Sequence, residues 1–350
     1  MKTIKIGKRL VGEGQPCFII AEAGINHNGQ LKLAKELVDV AVIARADAVK
    51  FQKRNVKRIL TGEGLCKPYL GYNSFGPTYG EHKRALELSK SDYRALKEYC
   101  DERDIIFLTS AWDEESVDFL EELNVPAHKI ASADLTNLPL LEHVANKGKP
   151  IILSTGMSNM GEIEEAVNMI KKYNDELILL QCTSTYPSEI RDINLRVMKT
   201  LRDRFNVPGG YSNHVSGIAI LVASVALGAA VVETHFTIDR TMKGPDHAAS
   251  LEPYGLTKMI RDIRDFEKAL GSDKKRLLDV EIPIREKLAK SLVSKVNIKK
   301  GTVITKDMLT TKGPGTGLAP KYYYKIVGKK AARDIKEDTL IKKEDIRAVK

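Results

Sequence analysis

The sequence predicts a closed (β/α)8 barrel of the TIM type followed by a small, mostly β module, and three observations carry that reading. Eight short apolar runs punctuate residues 17–237, each followed by a polar or Gly-containing break and then a helical pattern. Eight strand–helix units packed into about 220–240 residues are what a closed barrel requires. Beyond that stretch the pattern changes, and IKKGTVITKDML (298–309) is echoed by IKEDTLIKKEDI (335–346) at an offset of 37. The expected bounds are a barrel over 1–280 and a module over 288–350, joined by a charged connector containing Pro283.

The eight runs are CFIIAEAG (17–24), AVKFQ (48–52), IIFLTS (105–110), HKIASAD (128–134), PIILSTG (150–156), LILLQCTS (177–184), GGYSNH (209–214) and VVETHFT (231–237). Barrel enzymes place their chemistry at the C-terminal strand ends. Read in order, those ends supply Glu22, Lys50 and Gln52, Thr109, Ser132 and Asp134, Ser154, Ser184, Ser212 and His214, and Glu233 and His235. A core needs no such series, so the chain reads as an enzyme. Between strands, residues 31–46 place Leu33, Leu37, Val40 and Ala44 on one helical face, and Ser91 is the expected N-cap of a helix over 91–104. Residues 159–173 and 216–230 are further helices, the second apolar nearly all round, as for a helix packed between barrel and neighbour. The stretch 53–83 is too long for an ordinary βα connection and reads as a lid or binding loop on the catalytic rim.

Composition narrows the function classes. At 43% hydrophobic and 29% charged residues the chain is ordinary globular material. No run approaches a membrane span, the basic start MKTIKIGKRL lacks an apolar signal core, and the four cysteines show no metal-finger spacing. A cytoplasmic setting with no membrane partner is expected. The net charge of +10 lies in residues 281–350, with 18 Lys/Arg against 8 Asp/Glu, while the rest is balanced. That tail has no Arg-rich stripe or nucleic-acid motif, so nucleic acid is not an expected partner. Steering of anionic substrates is the better use of the charge.

His214 and His235 close the seventh and eighth strands, neighbours in a closed barrel, and with Glu22 on the adjoining first strand they are candidates to share a divalent metal. A pair of hydrogen-bonded rim histidines is the plainer alternative. Lys50 and Lys129 sit inside strand sequence near Ser132, Ser154, Ser184 and Ser212, a set suited to phosphate or carboxylate. Schiff-base chemistry at Lys129 competes with that use. STGM (154–157) offers backbone N–H groups to an oxyanion, and GPDHAASLEP (244–253) places Asp246 on the rim, within reach of a sugar hydroxyl.

With these residues on the page, the chain resembles the sialic acid synthases. The likeness is carried by EAGINHNG (22–29), VKFQ (49–52), TYGEHK (78–83), the Lys-Ile-x-Ser run (129–132), ILSTGM (152–157), QCTSTYP (181–187), INLRVM (193–198), GYSNH (210–214), THFTIDR (234–240) and KGPDHAASLEP (243–253). The tail is similar to that family's antifreeze-like (SAF) domain. The resemblance implies condensation of phosphoenolpyruvate with an N-acetylated hexosamine, N-acetylmannosamine or its 6-phosphate, to give N-acetylneuraminate or its 9-phosphate. It further implies Mn2+ or Mg2+ on His214 and His235. Phosphoenolpyruvate would be held by Lys50, Lys129, Ser132, Ser154, Ser184 and Ser212, and the sugar by Gln52, Asp134, Tyr186 and Asp246, with Glu22 as the catalytic carboxylate. A domain-swapped homodimer is implied as well, with an Arg of the SAF domain reaching the partner's sugar. Here that loop reads TKGPGTG (311–317), with Gly313 at the Arg position and Lys312 as the candidate substitute. Two alternatives stand beside this reading: a synthase of legionaminic acid or a related nonulosonate, and a metal-dependent aldolase or lyase barrel.

Overall fold

The structure is a computed structural model describing residues 2–347. Contacts divide the chain into two compact units, Met1–Gly271 and Ser272–Lys350. The first opens with a hairpin, β1 (Ile4–Ile6) against β2 (Arg9–Val11), turned at Gly7, which takes the left-handed conformation (φ +56°). Eight parallel strands follow: β3 (Phe18–Gly24), β4 (Ala48–Lys53), β5 (Ile106–Ala111), β6 (His128–Ile130), β7 (Ile151–Ser154), β8 (Leu177–Cys182), β9 (Gly209–Asn213) and β10 (Val231–His235). Each pairs with the next, and β10 returns to β3 to close the barrel. The expected fold class is therefore observed.

Strand alternation sorts the side chains into two sets. One set, including Ile19, Ala21, Val49, Phe51, Phe107, Leu153 and Val232, packs against the surrounding helices. The other faces the barrel interior, where Phe18, Ile20, Ala48, Leu108, Ile152, Ile178, Leu180 and Val231 form a buried apolar floor with Ile4, Ile6 and Val11 of the hairpin. The hairpin thus stoppers the N-terminal end of the barrel. IKIGKRLV carries the alternation and turn glycine of a hairpin, a short signal beside the eight longer apolar runs.

The helices follow in register with the strands, and three details depart from expectation. The helix Leu31–Ile43 buries Ala34, Leu37, Val38 and Ala41, one residue round from the predicted face, with Leu33 only half-buried. The helix Lys90–Glu102 is capped by Ser89, not Ser91. Ser89 Oγ accepts from the Asp92 N–H while the Asp92 carboxylate accepts from the Ser89 N–H, a reciprocal box that Ser91 has no partner to form. The apolar helix is confined to Ala219–Ala226, and only Leu221, Ser224 and Val225 are buried. Its outward face is exposed within the described residues of this unit, whereas the sequence pattern had it covered.

The long connection after β4 is a structured insert. It holds the short helices Val56–Ile59, Gly62–Cys66 and Tyr79–Ala85, a bridge between Pro68 and Thr78, and an aromatic cluster of Tyr69, Phe75 and Tyr79 around His82. Its Asn73 Oδ1 accepts from the Gly244 N–H at 3.3 Å, which pins the insert to the loop after β10.

In the second unit, β11 (Ser291–Ser294) pairs antiparallel with β12 (Leu309–Lys312). The internal echo is structural. Ile298 bridges Ile335, Ile304 and Ile341 are both buried, and a 3-10 turn stands at Lys306–Met308 and again at Lys343–Asp345. Neither copy alone could enclose these side chains, so the two halves share one small core.

Candidate active site

Two residues along each inward row, the apolar floor gives way to polar groups: Ile20 to Glu22, Ala48 to Lys50, Leu108 to Ser110, Ile152 to Ser154, Val231 to Glu233. Above the floor lies a cavity of about 170 Å³ at the C-terminal strand ends. Glu22, Lys50, Gln52, Lys129, Ser132, Ser154, Ser184, Tyr186, Ser212, His214 and His235 line it, each singled out from sequence. Asp134 and Asp246 are not among the lining residues. Asp134 lies beyond the end of β6, bonded to Asn137 Nδ2, and burial pushes its carboxyl up to about 6. Asp246 stands on the loop after β10, its Oδ2 3.9 Å from His235 Nδ1. Lys312 belongs to the second unit, where it pairs with Asp338. Larger hollows near Gly12–Pro16 and near Arg9 and Asp104 lie toward the starts of the strands, away from this constellation.

At the bottom of the cavity two lysines and two glutamates form a buried, charge-balanced cluster. Lys50 Nζ lies 2.7 Å from Glu22 Oε2 and 3.7 Å from Glu233 Oε1, and donates to Ser110 Oγ at 2.9 Å. The contact with Glu22 Oε2 is an ion pair that misses hydrogen-bond angles, leaving that oxygen without a hydrogen bond. Lys129 Nζ is 3.6 Å from Glu233 Oε1 and donates to Ser154 Oγ at 2.8 Å. Burial alone would raise Glu233, but Lys129 and Lys50 outweigh it and hold the carboxyl at about 2. Burial likewise disfavours both ammonium groups. Lys50, against Glu22 and Glu233, is held above its usual range, whereas Lys129, with Glu233 set against the like charge of Lys50, falls below it. Of the two lysines, Lys129 is the less closely paired, its carboxylate contact at 3.6 Å against 2.7 Å for Lys50.

Backbone shape prepares the side of the cavity next to Lys129. The Gly156 N–H donates to Ser132 Oγ at 3.0 Å, and a Cβ at Gly156 would stand 2.2 Å from Ser184 Oγ and 2.9 Å from Ser132 Oγ. Glycine is therefore required for the turn after β7 to close on the two serines. Ammonium, three hydroxyls and an N–H converge here, a set of donors for a tetrahedral anion.

The upper wall is made by two imidazoles. His214 Nδ1 lies 2.7 Å from the Thr183 carbonyl, which can only accept, so Nδ1 carries a proton. Nε2 lies 2.7 Å from Tyr186 Oη and accepts from it when the ring is neutral. Burial disfavours charge on His235, whose Nδ1 is buried without a hydrogen bond, and its ring centroid is 5.7 Å from that of His214. Burial works against charge on His214, but Cys182 and the Thr183 carbonyl outweigh it and raise the ring above its usual value, so a divalent cation at the pair would displace the His214 Nε2 proton as well as Tyr186 Oη. Among the described residues no group of three or more His, Cys, Asp or Glu side chains converges as a metal site. Such a cation would therefore draw its remaining ligands from water and substrate.

Several residues of the site went unassigned from sequence. Glu233 was seen at a strand end but given no role, although its position two before His235 puts it on the inward face. Arg54 continues the row Lys50, Gln52, Arg54: its Nη2 donates to Gln52 Oε1, whose Nε2 donates to Glu22 Oε1 at 3.1 Å, and its guanidinium lies 4.9 Å over Trp112. Cys182 lies 3.8 Å from His214 Nδ1.

Comparison with known proteins follows this geometry. The NeuB family model matches residues 37–275 and the SAF domain model residues 289–347. The chain is 47% identical to the N-acetylneuraminate-9-phosphate synthase of Homo sapiens, over 96% of this chain and 94% of that protein. It is 41% identical to the N,N'-diacetyllegionaminic acid synthase of Legionella pneumophila, over 96% of each. Among solved structures, the N-acetylneuraminic acid (sialic acid) synthetase of Leptospira borgpetersenii matches with a TM-score of 0.71 at 36% identity, over 81% of this chain and 95% of that one.

Proposed function

Because the chain belongs to the NeuB family and carries a SAF domain, we propose that it condenses phosphoenolpyruvate with N-acetylmannosamine, or its 6-phosphate, and water to give N-acetylneuraminate, or its 9-phosphate, and phosphate. The observation that carries this reading is the buried Lys50–Glu22–Glu233–Lys129 cluster beneath two oriented imidazoles. It offers an anion site and an electrophile site stacked in one cavity.

In this reading Lys129, with Ser132, Ser154, Ser184, Ser212 and the Gly156 N–H, holds the phosphate and carboxylate of phosphoenolpyruvate, and Lys50 braces the same substrate from beside Glu22. His214 and His235 would hold Mn2+ or Mg2+, which when bound supplies charge stabilisation to the aldehyde oxygen of the open-chain sugar. Gln52, Tyr186, Asp134 and Asp246 orient the sugar hydroxyls. The methylene carbon of phosphoenolpyruvate then bonds to the aldehyde carbon, leaving an alkoxide on the sugar, and the cationic carbon left behind takes up water. Glu22, with Oε2 free of hydrogen bonds, accepts one proton of that water and returns it to the sugar alkoxide. As the C–O bond to the phosphate breaks, the added hydroxyl gives its remaining proton to the departing phosphate and becomes the ketone, and Lys129 offsets the phosphate's charge.

The rest of the reading concerns setting and assembly. A homodimer in which each SAF domain covers the partner's barrel mouth would bring Lys312 to the sugar and control water at the cationic centre. A cytoplasmic location, where phosphoenolpyruvate and an exposed thiol such as Cys66 both persist, belongs to it. No helix among the described residues is long and apolar enough to cross a membrane.

The decisive experiment supplies phosphoenolpyruvate with a panel of acetamido sugars and reads phosphate release and product mass. Phosphate should appear only with an N-acetylmannosamine-type acceptor, with loss of activity in chelator, recovery with Mn2+ or Mg2+, and loss on His214→Ala or His235→Ala at unchanged melting temperature. Turnover of a diacetamido sugar in preference assigns the legionaminate branch, and sugar cleavage without phosphoenolpyruvate assigns an aldolase. Full turnover in excess chelator ends the metal role.

A further inference from the structure

Arg54 directly follows β4, is 3% exposed, and stands behind the cavity wall rather than in it. A guanidinium keeps its proton, so burying one is costly unless partners hold it. Two neighbours fix where it points. Glu87 Oε2 lies 3.7 Å from Nε without making a hydrogen bond, and Glu87 is shared with Lys53, whose Nζ is 2.5 Å from Oε1. On the other side the guanidinium carbon lies 4.9 Å from the centroid of the Trp112 ring, and Trp112 is itself a wall residue of the cavity. The barrel places that ring: Lys53 pairs with Ala111, and the Trp112 N–H donates to the Lys53 carbonyl at 3.2 Å. So held, Arg54 directs Nη2 at Gln52 Oε1, the one side-chain acceptor that its guanidinium reaches among the described residues.

Gln52 passes the constraint on to the cavity. It lines the wall, its Nε2 donates to Glu22 Oε1 at 3.1 Å, and the Tyr93 hydroxyl donates to its backbone carbonyl at 2.5 Å. A guanidinium only donates and a carboxylate only accepts, so the amide between them has one orientation, oxygen toward Arg54 and nitrogen toward Glu22. Glu22 Oε1 is occupied by that N–H, while Oε2, 2.7 Å from Lys50 Nζ, keeps no hydrogen bond. The two oxygens of one carboxylate are thereby made unequal by a residue that touches neither.

We propose that Arg54, stacked on Trp112, is a positioning residue that locks the Gln52 amide and through it commits Glu22 Oε1, so that Oε2 is the oxygen that takes the proton of the attacking water. The second Nε2 hydrogen of Gln52 is then the one left for a sugar oxygen. This inference rests on the condensing reading above and names what holds its base in place. An Arg54 that served only to offset Glu87 would have no need of the amide. The two roles differ in whether the effect of Arg54 on catalysis passes through Gln52.

The test is a double-variant cycle on the full chain, with phosphoenolpyruvate and the acetamido sugar that the panel shows to react. Arg54→Met keeps a long side chain against Trp112 and removes every donor. It should lower kcat about ten- to a hundredfold, while KM for phosphoenolpyruvate stays within about twofold of wild type. Gln52→Met should lower kcat by a similar factor. The double variant should fall within about threefold of Gln52→Met alone, because the second change has nothing left to act through. Arg54→Lys, which keeps a donor, should recover part of kcat. Losses that multiply in the double variant, or an Arg54→Met enzyme with the wild-type kcat, overturn the clamp. Should Arg54→Met not fold, Arg54→Lys takes its place in the same cycle. If no sugar reacts with the wild type, the condensing reading fails separately, and crystal structures then judge the clamp. Gln52 Nε2 should leave Glu22 Oε1 in Arg54→Met, and an amide unmoved from its wild-type position overturns the proposal.

Discussion

Floor and mouth of the barrel interior are built on the same strands, two residues apart, and they solve opposite problems. The floor, from Ile20 and Ala48 to Ile178 and Val231, buries hydrocarbon and contributes stability in proportion to the area hidden from water. The mouth buries four charges, each of which costs free energy unless its partners stay in place. One strand can carry both because alternation keeps its inward face continuous while the residue type changes. The difference teaches that sensitivity here follows height along the barrel axis rather than depth of burial, since Ile152 and Lys129 are almost equally hidden.

The largest effect expected is from Glu233→Gln, which removes the carboxylate shared by both lysines. Leaving those charges uncompensated should lower stability by about 3–5 kcal/mol in denaturant unfolding. Adding Lys129→Met should recover much of that loss while activity stays absent, and a double variant no more stable than the single one would break the picture of a compensated cluster. On the floor, Ile178→Ala should cost about 2–5 kcal/mol with both KM values close to wild type. A raised KM there would mean that the two levels are not separable. Lys129→Ala should raise KM for phosphoenolpyruvate far more than for the sugar, by an amount worth about 1.5–3 kcal/mol. A borohydride-trapped adduct on Lys129 would instead assign it Schiff-base chemistry.

The smallest effect probes a carboxylate outside both levels. Asp134 is raised from 3.8 to about 6 by burial. A group raised in the folded state contributes stability that is complete below its unfolded value and lost as pH rises through the folded one. At pH 7.5 Asp134 is therefore ionised at a cost, and Asp134→Asn should stabilise by about 1–2 kcal/mol once its partial exposure is discounted. The gain should shrink toward pH 4. A gain equal at both pH values would show that ionisation is not its source.

Much of this could be read from the chain because strand-end position and inward direction both follow from period two. Eight apolar runs gave eight strands, and most of the singled-out side chains converge on one cavity. What escaped did so for identifiable reasons. Arg54 lies one residue past its strand, so its membership of the inward row appears only once the row is known to continue. The insert after β4 is tied to the loop after β10 by contacts such as Asn73 to Gly244 that no local pattern announces. Ser89 and Ser91 are both good caps by type, and the choice falls to Asp92, three residues after Ser89. The helix after β9 is shorter than its apolar run because the chain bends at Gly217 (φ +96°) before helical geometry begins.

The hairpin of β1 and β2, which stoppers the base of the barrel, has a kinetic consequence. With Ile4, Ile6 and Val11 wedged beneath Ile20 and Leu180, the interior has no back exit, and everything that visits it shares one doorway. A guest seated by Lys129 and Ser154, just above that plug, sits beneath the guest at His214 and His235. On the proposed assignment arrivals would queue: phosphoenolpyruvate first, sugar second, with nothing at the bottom leaving until the upper place is vacated. Steady-state kinetics should accordingly be ordered, with an unreactive sugar analogue competing against the sugar and acting uncompetitively towards phosphoenolpyruvate.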